Sequence, residues 1–216
     1  VFFEGETLNS TQIPWYYAPK WLLLTLPEFI LFGLAVGLVL GMISAFKPRN
    51  NGNRLPEFQR GFLALSSVFP LMAVSIQETP LYDAIRHLLF ATLPLVVLSA
   101  VGIGDAISRA FQNVGRQILI AGTVVLMGIT FWDMVRLHPN EYIYFNRIIA
   151  GGIKKASKSY QTDYWENSYK QGLEWLDSHY DGLPSGPRLR VSSVSSNFQF
   201  QMDPDRYEFV ENPENI

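Results

Sequence analysis

Arg86 and His87 stand side by side in the string LYDAIRHLLFATLP, where polar chain gives way to a long apolar run. A guanidinium is a rigid fork of donors matched to phosphate oxygens, and the imidazole beside it adds a donor or a proton-transfer group. At a membrane–water boundary this pair suits a lipid phosphate. The same arginine equally suits snorkelling to headgroups, or an ion pair with Glu28 or Asp83. A second concentration of functional groups is Trp15, Tyr16, Tyr17 and Lys20, followed by Trp21. Aromatics so close together fit an interfacial belt, as Trp132 does further on. His138 and His179 lie far apart and lack Cys or Asp neighbours at ligand spacing, so no metal site emerges. Neither a glycine-rich phosphate loop nor a Ser-His-Asp set can be read from the chain.

The elements that would carry these residues are apolar. Four stretches, 29–46, 61–76, 88–104 and 118–132, are separated by short charged connections, and the first is eighteen residues without a charge. Flanking residues extend them to spans of about 26–46, 61–77, 86–104 and 117–133, near the roughly 20 residues that cross a bilayer. The expected fold is an α-helical polytopic membrane protein of about four spans, followed by a small extracytoplasmic α/β segment. Residues 1–25 form an external aromatic-rich loop, 26–132 the transmembrane bundle, and 133–216 the extracytoplasmic C-terminal segment. The whole-chain averages, 48% hydrophobic residues, a net charge of −2 and a mean hydropathy of +0.10, conceal these two unlike halves. With no cysteine, neither disulfides nor thiolate metal sites are open to the polar part. The first residue, Val1, and the ending ENPENI suggest a portion of something longer.

Basic residues set the orientation. Lys47, Arg49, Arg54 and Arg60 follow the first span, and Arg109 and Arg116 follow the third. The positive-inside rule puts both loops in the cytoplasm, so the N-terminal segment, the loop 77–87 and the C-terminal segment meet outside. Pro27, Pro70 and Pro94 would kink spans and free carbonyls that neighbouring segments must satisfy. Gly33, Gly37 and Gly41 form a small-residue stripe, expected to serve helix contact within the bundle rather than a dimer. No Asp, Glu, Lys or Arg lies mid-span, which disfavours a pump, channel or transporter. In the polar half, Gly151-Gly152 breaks the chain. Asp163 and Glu166 have the form of a capping box for an amphipathic helix carrying Trp165, Tyr169, Leu173 and Leu176 and ending near His179, with Asp181-Gly182 beyond it. The run 188–194 (RLRVSSV) reads as a strand.

Three strings, PWYYAPKWLLLTLPEFILF (14–32), YDAIRHLLFATLPLVVLSAVG (82–102) and HPNEYIYFNRIIAGGIKKASKSYQTDYWENSYKQGLEWL (138–176), resemble the C-terminal half of bacterial lipid-carrier-dependent glycosyltransferases of the GT-C superfamily, relatives of the protein O-mannosyltransferases and aminoarabinose transferases. The resemblance implies an integral protein of the bacterial inner membrane that moves a sugar from a polyprenyl-phosphate donor to an acceptor on the outer face. It implies that Arg86 and His87 face the donor phosphate, where a fixed guanidinium stabilises the charge of the departing group. The loop carrying Trp15, Tyr16, Tyr17 and Lys20 would line the acceptor or sugar pocket. The family's general-base Asp, and any divalent metal, belong to an N-terminal half whose first external loop has no counterpart here, so no residue of this chain takes the catalytic role. The partners expected are the bilayer, the polyprenyl-phosphate-linked sugar and other membrane subunits, with no nucleic acid. The alternative is a non-catalytic membrane subunit that keeps the bundle as a docking component of a larger complex.

Overall fold

The structure, a computed structural model, describes residues 1–45, 57–77, 80–81, 84–110, 113–163, 168–179, 189–192, 202–205 and 207–210. The chain divides into two compact units, Val1–Thr162 and Asp163–Ile216. The first is built on α1 (Tyr17–Thr25), α2 (Glu28–Ala45), α3 (Glu57–Ile76), α4 (Leu89–Arg109) and α5 (Asn113–Leu137). A short hairpin, β1 (Phe2–Phe3) with β2 (Glu6–Thr7), precedes them, and the small helix α6 (Ile153–Ala156) follows. A 3-10 turn, Arg86–Leu88, leads directly into α4. Residues 133–162, polar in sequence, thus belong to the same unit as the apolar helices.

Three helices, Phe58–Ile76, Arg86–Arg109 and Val114–Leu137, are long and apolar enough to cross a membrane. Helices α1 and α2 make a fourth span if the pair, bent by 115°, is taken as one. Three of the expected four spans therefore stand as continuous helices, and the first, read at 26–46, reaches a span only if α2 is taken together with α1. Their outward faces are apolar: Phe58 is 81% exposed, Phe69 64% and Phe131 69%. Water would oppose so much exposed apolar surface, whereas a bilayer matches it. Inside the bundle α4 is central, packing against α2, α3 and α5. It meets α2 through small residues: a Cβ added at Gly102 would lie 2.3 Å from the Gly33 carbonyl oxygen and 2.9 Å from Gly37 Cα. Gly33 and Gly37 serve contact within the chain, as the stripe suggested, while a Cβ at Gly41 meets nothing within 4 Å. Pro70 and Pro94 lie inside α3 and α4.

The break between α1 and α2 has an identifiable cause. Pro27 has no N–H to give the Leu23 carbonyl, and Leu26 turns to extended backbone with ψ 132°. The freed acceptors are taken by one distant residue. Asn146 Nδ2 donates to Leu23 O at 2.6 Å and Leu26 O at 3.0 Å, and the Asn146 N–H donates to Leu24 O at 2.9 Å.

The second unit holds α7 (Ser168–His179) and a parallel pair, β3 (Leu189–Val191) with β4 (Tyr207–Phe209). Leu173, Met202 and Tyr207 form its core, flanked by Tyr169, Val191 and Phe209. The Asp163 carboxylate accepts from the Ser168 N–H at 3.2 Å and from the Ser168 hydroxyl. The capping role read for Asp163 is therefore directed at Ser168, while Trp165, Glu166 and Asp181-Gly182 lie outside the described residues; of the run 188–194 read as a strand, residues 189–192 are described and Leu189–Val191 are β3. What is described here is one helix and two short strands, less than the α/β segment expected. Lys47, Arg49, Arg54 and Asp83 also lie outside the described residues.

Candidate functional site

Because α2 to α5 run alternately up and down, the starts of α2 and α4 and the ends of α3 and α5 fall at one end of the bundle. A buried polar cluster closes it. Glu28, 2% exposed at the start of α2, accepts from three donors: the Tyr144 hydroxyl at 2.6 Å and Thr130 Oγ1 at 3.2 Å on one oxygen, and the Arg147 N–H at 2.7 Å on the other. A buried carboxylate is tolerated when its lone pairs are filled in this way. The Arg147 guanidinium turns instead to Asp133 on α5, with Nε 2.8 Å from Oδ2 and a second bond beside it, and this raises its pKa. Burial, and then the bond to Glu28, push the Tyr144 phenol well above its usual range.

Beside this cluster Asn146 is fully buried and fully engaged. Its Oδ1 accepts from the Ile149 N–H at 2.9 Å and the Ala150 N–H at 3.2 Å, and its own carbonyl accepts from the Gly152 N–H at 3.0 Å. Gly151 and Gly152 both sit at φ +75°, a conformation that favours glycine, so the pair turns the chain back under Asn146.

The expected pocket residues separate. Tyr17, read as lining an acceptor or sugar pocket, is a core residue here: it is 1% exposed, with its ring 4.8 Å from Phe3 and 6.0 Å from Trp21. Trp21 in turn meets Phe145 and Tyr160, so these rings are a small aromatic core joining the hairpin, α1 and the segment after α5. Burial, then the neighbouring Tyr16, raises the Tyr160 pKa. Lys20 forms an ion pair with Glu4 over the Phe3, Tyr16 and Tyr160 rings, and the Tyr16 hydroxyl donates to the same carboxylate at 2.9 Å. Glu4 is presented by a hairpin turn in which it and Gly5 both have positive φ. Trp15 is 73% exposed, and its carbonyl accepts from Ser75 Oγ on α3 at 2.9 Å. The cleft between this loop, the end of α3 and Leu81 measures about 30 Å³. That is room for roughly two waters, not a sugar ring.

Arg86 is exposed and His87 half-buried on the 3-10 turn at this same end, immediately before the N-terminus of α4. No family model, curated protein or solved structure matches the chain. Its chemistry rests on its own residues. Among the described residues no three His, Cys, Asp or Glu stand together as a metal site would need. Sequence reasoning missed Asn146, Tyr144, Thr130 and the Arg147–Asp133 pair. The freed carbonyls at Pro27 announced that a donor was needed, but not that it would come from a residue 120 positions away.

Proposed function

We propose that the chain is part of a membrane glycosyltransferase that uses a polyprenyl-phosphate-linked sugar, with Arg86 and His87 receiving the donor's phosphate on the outer side of a bacterial inner membrane. The observation that carries this reading is the exposed Arg86 on the turn that opens α4. There the guanidinium fork and the positive end of a 21-residue helix reinforce each other toward an anion. As the carbon–oxygen bond to the sugar breaks, charge grows on the phosphate, and a guanidinium already in place stabilises it without reorganisation. The exposed Trp15 and half-buried Tyr16 are the aromatic faces left for a sugar or acceptor. Titration of a short-chain polyprenyl phosphate into the detergent-solubilised protein tests the reading. Arg86→Ala should abolish saturable binding while helical content is unchanged, and wild-type affinity in that variant would refute the site.

One observation favours the alternative of a non-catalytic docking subunit. Glu28 and Asp133, the acids that α2 and α5 bring to this end, are both held in structural bonds, so neither stands ready as a general base.

A further inference from the structure

At the opposite end of the bundle, where α2 and α4 finish and α3 starts, two arginines share one carboxylate. Arg60 donates Nη1 to Asp105 Oδ2 at 2.8 Å and Nη2 to Oδ1 at 3.2 Å. Arg109 Nη2 lies 3.8 Å from Asp105 Oδ2 and donates to Ser44 Oγ at 3.2 Å. The three side chains are about a quarter exposed or less, the cluster keeps a net positive charge, and the Nε–H of both arginines is buried with no hydrogen-bond partner among the described residues. Unfilled donors of this kind are costly unless a ligand supplies the acceptor.

Running along the helices from Arg60 is an apolar groove of about 700 Å³ between α2, α3 and α4. Its walls include Leu34, Leu38, Met42, Ala64, Leu98 and Val101, and among the described residues Arg60 is the one charged side chain that lines it. Gly41 and Gly61 open onto it, and a Cβ built on either meets nothing within 4 Å. The volume lies within the roughly 300–1,000 Å³ of sites that enclose most of a ligand. An apolar trough ending in surplus guanidinium charge has the chemistry of one ligand class. We propose that the groove holds one acyl chain of an anionic phospholipid from the leaflet at this end, with its phosphate on Arg60 and Arg109. The fork geometry of both side chains suits phosphate oxygens, and the site lies at the other end of the bundle from Arg86.

The test is native mass spectrometry of the whole chain released from micelles containing equal phosphatidylglycerol and phosphatidylcholine. The wild type should retain a single phosphatidylglycerol, preferred by about fivefold, as expected for about one surplus positive charge beside the headgroup. The double variant Gly41→Leu/Gly61→Leu fills the groove while improving helix propensity, and should lose the retained lipid with helical content intact. Arg109→Gln keeps the Arg60–Asp105 pair and removes the surplus charge, and should bring the two lipids to similar occupancy. Equal retention of both lipids by the wild type would overturn the proposal. So would undiminished phosphatidylglycerol on the groove-filled variant, or a dimer that this variant dissolves, which would make a second copy the occupant.

Discussion

Asn146 is the residue on which the first unit turns, and replacing it should be felt throughout that unit. Its side chain makes four hydrogen bonds to main chain, two to the carbonyls freed by the break at Pro27 and two from the N–H groups of Ile149 and Ala150. At about 1 kcal/mol net for each, Asn146→Ala removes about 4 kcal/mol. Desolvated carbonyls left bare would raise that figure and water entering the space would lower it, so a loss of about 3–5 kcal/mol is expected. Asn146→Asp separates shape from hydrogen bonding. It keeps the volume and both acceptor bonds, but turns oxygen toward oxygen at Leu23 and Leu26, and should cost as much as alanine. The assay is reversible unfolding in mixed detergent micelles of rising SDS content, followed by far-UV circular dichroism. If both variants unfold within about 0.5 kcal/mol of wild type, the range of ordinary surface changes, Asn146 does not hold the α1–α2 corner and the reasoning fails.

Three further outcomes follow from the same contacts. Glu28→Gln sets an amide N–H against either the Arg147 N–H or the Tyr144 and Thr130 hydroxyls, and should lower stability by about 1–3 kcal/mol in the same assay; no change would mean that the three bonds to Glu28 contribute nothing. Gly102→Ala drives a Cβ into the main chain of α2 and should cost about 1–3 kcal/mol, whereas Gly122→Ala, with nothing within 4 Å, should be neutral or slightly stabilising; equal effects would refute the close approach of α2 and α4. The raised pKa of Tyr144 means that the folded state holds the phenol proton more tightly than the unfolded chain. That stability is complete below an unfolded value of about 10 and is lost as pH climbs above it. Stability should therefore fall less steeply above about pH 10 in Tyr144→Phe than in wild type, and identical slopes would count against the assignment.

The helices were legible in the sequence because lipid-facing surface leaves long uncharged runs, and flanking residues lengthened the last three runs, to Glu57–Ile76, Leu89–Arg109 and Asn113–Leu137, while α2 kept the eighteen-residue length of its run. The small-residue contact of α2 was legible for the same reason, in that Gly33 and Gly37 have one evident use on an apolar helix. The aromatics at 15–21 were not separable, since an interfacial belt, a pocket wall and a core share one composition. What distinguishes Tyr17 from Trp15 is the hairpin residue Phe3, which lies far along the chain from neither yet carries no pattern that points to it. Glu28 was legible as an acid at a helix start, but its partners Thr130, Tyr144 and Arg147 come from more than a hundred residues away. Such long-range pairing leaves no periodic trace.

The measurement that tests the account most directly is the sidedness of the two ends. The chain has no cysteine, so single cysteines can be placed at the exposed positions Trp15 and Ile148 at one end and Phe58 and Val114 at the other. Labelling with a membrane-impermeant maleimide in sealed, uniformly oriented vesicles should modify one pair from outside and the other only after permeabilisation. Modification of all four from the same side would contradict a bundle that crosses the membrane and would remove the setting in which Arg86 meets a lipid-linked phosphate.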